Sequence, residues 1–221
     1  MIVQIYEVSS PEEAAAISDL GVDHIGILVG DGSFPREQSF ERAKAILNAI
    51  KHPSKGSILC LSADPGCIRQ VIASLDPALL HLGASTDLLS PAQVQELKDE
   101  FPHVPIMRSI PVAGPESISL AQSYEGIADF LLLDSYSAGD KQIGALGTTH
   151  SWDLDLAIIQ GVSMPVIIAG GLGPGNVGEA IRATRPAGVD SKTRTDKEDG
   201  SHTKDLDKVK QFVEAARNAG L

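Results

Sequence analysis

Basic side chains are in short supply in this chain. Its 221 residues carry 18 Lys and Arg against 29 Asp and Glu, a net charge of -11 at neutral pH. Such a balance argues against nucleic acid or an anionic membrane surface as a partner, because either would repel it. A local arrangement can still hold an anion, so a small phosphorylated substrate stays open. Cysteine is nearly absent. Cys60 and Cys67 stand seven apart with no further thiol, which suits reduced, partly buried side chains of an intracellular protein better than a metal site. His24, His103, His150 and His202 keep no ligand spacing with carboxylates or thiols, so no metal is expected. Also missing are a basic-then-apolar leader and any apolar run of the ~18 residues that a membrane span needs. The cytoplasm is the expected location. Aromatic residues make up only 4% of a chain that is 43% hydrophobic and 21% charged. That is an ordinary soluble composition, with material for one large core or two small ones.

What is present is an alternation, uninterrupted by any linker or low-complexity stretch. Short β-rich runs, IVQIY (2–6), HIGILV (24–29), SILCL (57–61), ALLHL (78–82), VPIMRSI (104–110), FLLLD (130–134), PVIIAG (165–170) and AGVD (187–190), are separated by helical patterns. The helix starts are marked. Ser10 is placed to cap, Pro11 to take the first position, Glu13 to close a capping box and Gly21 to end the helix. Ser90, Pro91 and Gln93 repeat the device, and Asp64 with Pro65 opens another helix. From about Asp205 onward, Val209, Phe212, Val213 and Ala216 fall on one stripe, the spacing of a buried helical face. Strands this apolar are buried on both faces, as parallel strands are. Eight strand–helix units predict a single α/β domain over residues 1–221, a (β/α)8 TIM barrel, with an open doubly wound sheet as the alternative. The stretches 135–157 and 191–204 follow strands, which in a barrel puts them on the face where active sites form.

The run FLLLDSYSAGDKQIGALG (130–147) sets Asp134 behind three leucines at the end of a strand. A barrel would point it at the pocket mouth, where a partly desolvated carboxyl has a raised pKa and can act as a general acid. A turn residue bonded to its own backbone is the plain alternative. VIIAGGLGPGNVGEAI (166–181) reads as strand, glycine turn and helix. Gly170 and Gly171 there, with Gly144 and Gly147 of GALG on the preceding loop, form a candidate phosphate cradle of backbone N–H groups. A tight turn that merely needs positive φ is the other reading. Arg36 in SFPREQSF has the planar fork that suits a substrate carboxylate, or is a solvated arginine ahead of a helix. His81 ends the fourth strand, either as a donor to substrate or as a hydrogen-bonded core histidine. Asp190 ends the eighth with the same ambiguity. Trp152 is expected to anchor the helix after it.

Taken in order, GVDHIGILV, SFPRE, LLHLG, LLLDS, GALGTTHSW, IIAGGLGPGNV and GVDSKTRTDKEDGSHTKD resemble the phosphoribosylanthranilate isomerase family over nearly the whole chain. The resemblance implies a cofactor-free barrel, monomeric or homodimeric, that performs an Amadori rearrangement of a phosphoribosyl-aminobenzoate in tryptophan biosynthesis. It implies that Asp134 is the general acid opening the ribose ring and that Arg36 holds the anthranilate carboxylate. Asp190 becomes a substrate-contacting acid, His81 sits at the family's histidine, and Gly170 and Gly171 supply phosphate-binding backbone.

The sequence also departs from that pattern. Gln4-Ile5-Tyr6-Glu7 stands where the family has a Lys-Ile-Cys-Gly run whose Cys is the general base. A phenol of ordinary pKa, about 10, is mostly protonated at neutral pH, and a positioned general base is worth about 10²–10⁴ in rate. Asp190, Glu7 or a Tyr6 of lowered pKa would have to replace it. Ala145 and Leu146 stand where the family has Gly and Thr, and Lys192, Thr193 and Arg194 where it has Ser-Ser-Gly. Lys192 or Arg194 would then offer side-chain charge in place of lost backbone amides. Weak or altered isomerase activity is the expectation. Another enzyme of phosphorylated sugars or aromatics on this scaffold, or a non-catalytic ligand-binding barrel, are the alternatives.

Overall fold

The computed structural model describes residues 1–137, 142–143 and 150–220. Its strands are β1 (Ile2–Ile5), β2 (His24–Leu28), β3 (Lys55–Cys60), β4 (Leu79–Leu82), β5 (Ile106–Val112), β6 (Phe130–Ser137), β7 (Gln142–Ile143), β8 (Val166–Ile168) and β9 (Gly188–Ser191). All pair in parallel except β7, which lies antiparallel to the end of β6. The remaining eight follow one another around a ring, with β5 on β6 and β1 on β9, so the sheet closes without an edge. Eight helices surround it: α1 (Pro11–Asp19), α2 (Phe40–Ala49), α3 (Pro65–Leu75), α4 (Pro91–Glu100), α5 (Glu116–Gln122), α6 (Trp152–Gly161), α7 (Val177–Thr184) and α8 (Leu206–Ala219). The architecture is the expected (β/α)8 barrel. No helix among the described residues is long and apolar enough to cross a membrane.

The helix starts behave largely as their sequences require. Ser90 and Gln93 form a complete capping box, Asp64 accepts from Gly66 N and Cys67 N, and Asp205 accepts from Asp207 N and Lys208 N. At α1 the box is only half made. Ser10 caps Glu13 N, but the Glu13 carboxylate turns to Ser9 N at 2.8 Å and to Lys204 N at 2.5 Å. A link between the first and last units of the ring has taken the place of a local one. Trp152 opens α6 and packs on the core as expected.

Alternation along the strands sorts their side chains into two cores. Leu131 and Leu133 face outward, into the large layer between sheet and helices. Leu132 faces inward with Tyr6, Leu79, Met107, Ile167 and Ala169, which fill the cylinder itself. Asp134 shares the inward period of Phe130 and Leu132, not that of its outward neighbours. β6 also runs on to Ser137, so Asp134 is not its last residue. Its register with β8 nevertheless ends at Leu133↔Ile168, one position before Asp134. The carboxyl therefore rises just above the packed interior, at the carboxyl-terminal mouth.

Candidate active site

That mouth holds a pocket of about 520 Å³. Its wall comes from segments that follow the strands: Tyr6 and Glu7 after β1, Phe34 to Arg36 after β2, Gly83 to Ser85 after β4, Asp134 on β6, Gly170 to Leu172 after β8, and Asp190 to Arg194 on and after β9. Tyr6, Arg36, His81, Asp134, Gly170, Gly171 and Asp190, singled out from the sequence, all line it. Gly144 and Gly147 lie outside the described residues, as do Ala145 and Leu146.

Two carboxyls dominate the chemistry. Asp134 takes a hydrogen bond at Oδ1 from its neighbour's amide, Ser135 N, at 2.8 Å. Burial raises its pKa to about 6, against the opposing pull of that bond and of His150. Asp134 itself is half-buried, and Asp190 is buried. Its pKa stands well above the usual carboxyl range because of burial first and the nearby Asp134 charge second. Its Oδ1 has no hydrogen-bond partner among the described residues. Two carboxyls facing one desolvated space resist ionising together, so the pair keeps a proton available at a pH where free carboxylates have none.

Gly170 and Gly171 adopt φ of 82° and 61°, conformations that a side chain disfavours. A methyl group at Gly170 would also meet His150 Nδ1 at 2.7 Å and Ser135 N at 3.4 Å. The turn therefore needs glycine for its own shape and to let His150 approach, a pressure independent of any anion. His150 is held in turn by Asp155 through Nε2 at 2.7 Å. Asn176 fixes the rest of the turn, accepting from Gly173 N at 2.8 Å and donating to Gly171 O at 3.1 Å.

Tyr6 covers Gly26, and its hydroxyl lies 2.6 Å from Ser57 Oγ inside the barrel. Burial pushes the phenol well above its usual pKa, only partly offset by that bond. A lowered-pKa tyrosine base is not what this geometry makes. His81 stands edge-on to the Tyr6 ring, with centroids 5.1 Å apart, and bonds Ser109 Oγ through Nε2 at 2.7 Å. Burial, then the Arg108 charge, lower its pKa to about 3. It is a neutral imidazole on the pocket floor.

Arg36 is already engaged. Its Nε and Nη2 donate to the two oxygens of Glu7 at 2.5 and 3.2 Å. Lys192 Nζ stands 3.5 Å from the same carboxylate and 3.1 Å from Asp196, which in turn holds the buried Lys204 at 2.5 Å. Burial pushes the Glu7 carboxyl upward, but Arg36 and Lys192 together outweigh it and leave Glu7 below the usual range. Arg36, Lys192 and Lys204 interleave with the carboxylates of Glu7, Asp196 and Glu13.

The sequence reading missed three contributors. Lys204 and Asp196 read as parts of a polar loop. Arg108 sits inside a strand, fully buried, where Nη1 donates to Leu82 O at 2.7 Å and Ala84 O at 2.8 Å and so shapes the loop that walls the pocket. A charge in the apolar run VPIMRSI was the available signal, since burying it unpaired is costly. Among the described residues no cluster of side chains fits a metal ion.

Comparison with known proteins follows the same outline. The family described as "PRAI: N-(5'phosphoribosyl)anthranilate (PRA) isomerase" matches residues 91–215. The N-(5'-phosphoribosyl)anthranilate isomerase of Methanocella arvoryzae is 34% identical over 215 residues, 97% of each chain. That of Rhodopseudomonas palustris strain TIE-1 is 31% identical over 221 residues, 99% of each. A phosphoribosyl anthranilate isomerase structure from Thermotoga maritima superposes with a TM-score of 0.81 at 22% identity, covering 99% of this chain and 100% of the other, which supports the fold. Matching motifs, full-length coverage and a shared barrel converge: the chain belongs to the N-(5'-phosphoribosyl)anthranilate isomerase family.

Proposed function

We propose that this protein catalyses an Amadori-type aldose–ketose isomerisation of a phosphoribosylated amine. The substrate named for its relatives, N-(5'-phosphoribosyl)anthranilate, is the first to test, and its place would then be tryptophan biosynthesis. The observation that carries the reading is the pair Asp134 and Asp190, two carboxyls facing one pocket without an ion pair among the described residues. Glu7, the third carboxyl of the wall, is held by Arg36.

In the reaction Asp134 gives its proton to the ribose ring oxygen. The C1–O bond breaks and the nitrogen lone pair forms a C1=N iminium. A carboxylate of the Asp134–Asp190 pair then takes the proton from C2, the electrons move to nitrogen, and the resulting enolamine tautomerises to the ketose. Atoms and charge balance without a cofactor. Lys192 and Arg194, cations that line the pocket together with the Gly170–Gly171 turn, support a phosphate at that end.

Loss of substrate fluorescence reports turnover. Asp134→Asn should lower kcat by about 10²–10⁴ while the protein stays folded. A folded wild-type protein that turns over neither this substrate nor its counterpart without the ring carboxylate would remove the reading.

A further inference from the structure

The Glu7–Arg36 pair has features that packing alone does not require. Both residues lie in the left-handed region, Glu7 at φ 61° and Arg36 at φ 70°, although neither is glycine or asparagine. Strain of this kind persists only where the surroundings over-determine it, and it concentrates at functional sites. The pair also stands between two cavities. It lines the main pocket on one side and, with Val8, Gln38 and His202, a cleft of about 130 Å³ on the other. Its geometry is a two-point fork on a carboxylate, the arrangement by which an arginine recognises a carboxylate ligand. Here the carboxylate belongs to the protein, and Lys192 adds a second cation to it.

We propose that Glu7 is a specificity residue: its carboxylate fills the anion site of Arg36 from within, so that the pocket selects a phosphorylated sugar amine whose nitrogen substituent carries no free carboxylate. This deepens the isomerase reading and rests on it. A carboxylated substituent must displace Glu7 from Arg36 and leave that carboxylate partly desolvated beside the incoming one, a repulsion that an uncharged ring does not meet. Neutral aromatic substituents instead meet the apolar wall of Leu28, Phe34 and Pro35.

Two probes test it by binding rather than turnover: reduced 1-(o-carboxyphenylamino)-1-deoxyribulose 5-phosphate and the same compound without the ring carboxylate. Titration calorimetry gives their affinity ratio for the wild type, Glu7→Gln and Glu7→Gly. Glutamine keeps the shape and removes the charge. Glycine suits the positive φ, so neither variant should compromise folding, and thermal melting checks that. The wild type should bind the uncharged probe at least as tightly as the carboxylated one. Both variants should shift the ratio by about tenfold or more toward the carboxylated probe, and adding Arg36→Leu to Glu7→Gln should abolish the shift. A wild type that already prefers the carboxylated probe about tenfold, or a ratio unmoved by both substitutions, overturns the proposal. If neither probe binds any form of the folded protein, the phosphosugar reading fails, and the inference with it.

Discussion

Asp134 illustrates how a single residue can trade stability for chemistry. Its carboxyl titrates near pH 6 in the folded protein and near 3.9 in the unfolded chain. Below both values the two states are equally protonated and the group is neutral in the balance. Between them the unfolded chain loses the proton first, so stability falls as pH rises from about 4 to about 6 and stays lower above. Asp134→Asn removes the titration. The variant should be more stable than the wild type by roughly 1–2 kcal/mol at pH 7, less than the full linkage value because the residue is only partly desolvated. That gain should fade toward pH 4. Urea titrations at the two pH values check the sign, and a variant less stable at pH 7 than at pH 4 relative to wild type would contradict it. Gain of stability with loss of turnover is the pattern that the proposed role of Asp134 as general acid requires.

At the scale of elements, the first two strands are fitted together around the ring of Tyr6. The ring occupies the space over Gly26 on β2, and a methyl group added there would overlap it directly. Gly26→Ala should therefore destabilise the protein by about 1–3 kcal/mol through overpacking. In a Tyr6→Cys background most of that cost should vanish, because the ring that clashes is gone. Denaturant midpoints of the four proteins of this cycle measure the coupling, and a cost unchanged by Tyr6→Cys would show that the backbone, not the ring, resists the methyl. Elements were the most legible part of the sequence. Short apolar, β-rich runs marked every barrel strand, and Ser90 with Gln93 announced α4 correctly. Glu13 shows the limit. The residue types fit a capping box, yet the amide of Lys204, 191 positions away, offers its carboxylate a partner that no local pattern records.

For the whole molecule, closure is the property that creates the site. Only when β9 returns to β1 does Glu7 face one space with Lys192 and Asp190. The last helix seals that return. Phe212 is fully buried, and Arg217 ties α8 to Met1 O, Gly21 O and Asp23 beside the first strand. Phe212→Ala should cost about 3–5 kcal/mol, read as a lower urea midpoint at unchanged slope. A loss below about 1 kcal/mol would mean that the terminal helix is dispensable to the closed ring.

The sequence by itself determined the succession of strands and helices, the barrel, and the residues that rise to its mouth. These follow from hydrogen bonds and side-chain periods that span a few positions, so a linear pattern records them. Tertiary structure alone decided that Arg36 is neutralised by Glu7, that the hydroxyls of Tyr6 and Ser57 pair, and that the carboxyls of Asp134 and Asp190 share one pocket. Each depends on distance and burial between residues 29, 51 and 56 positions apart, and charge, dielectric and backbone strain at such contacts exist only after the ring has closed.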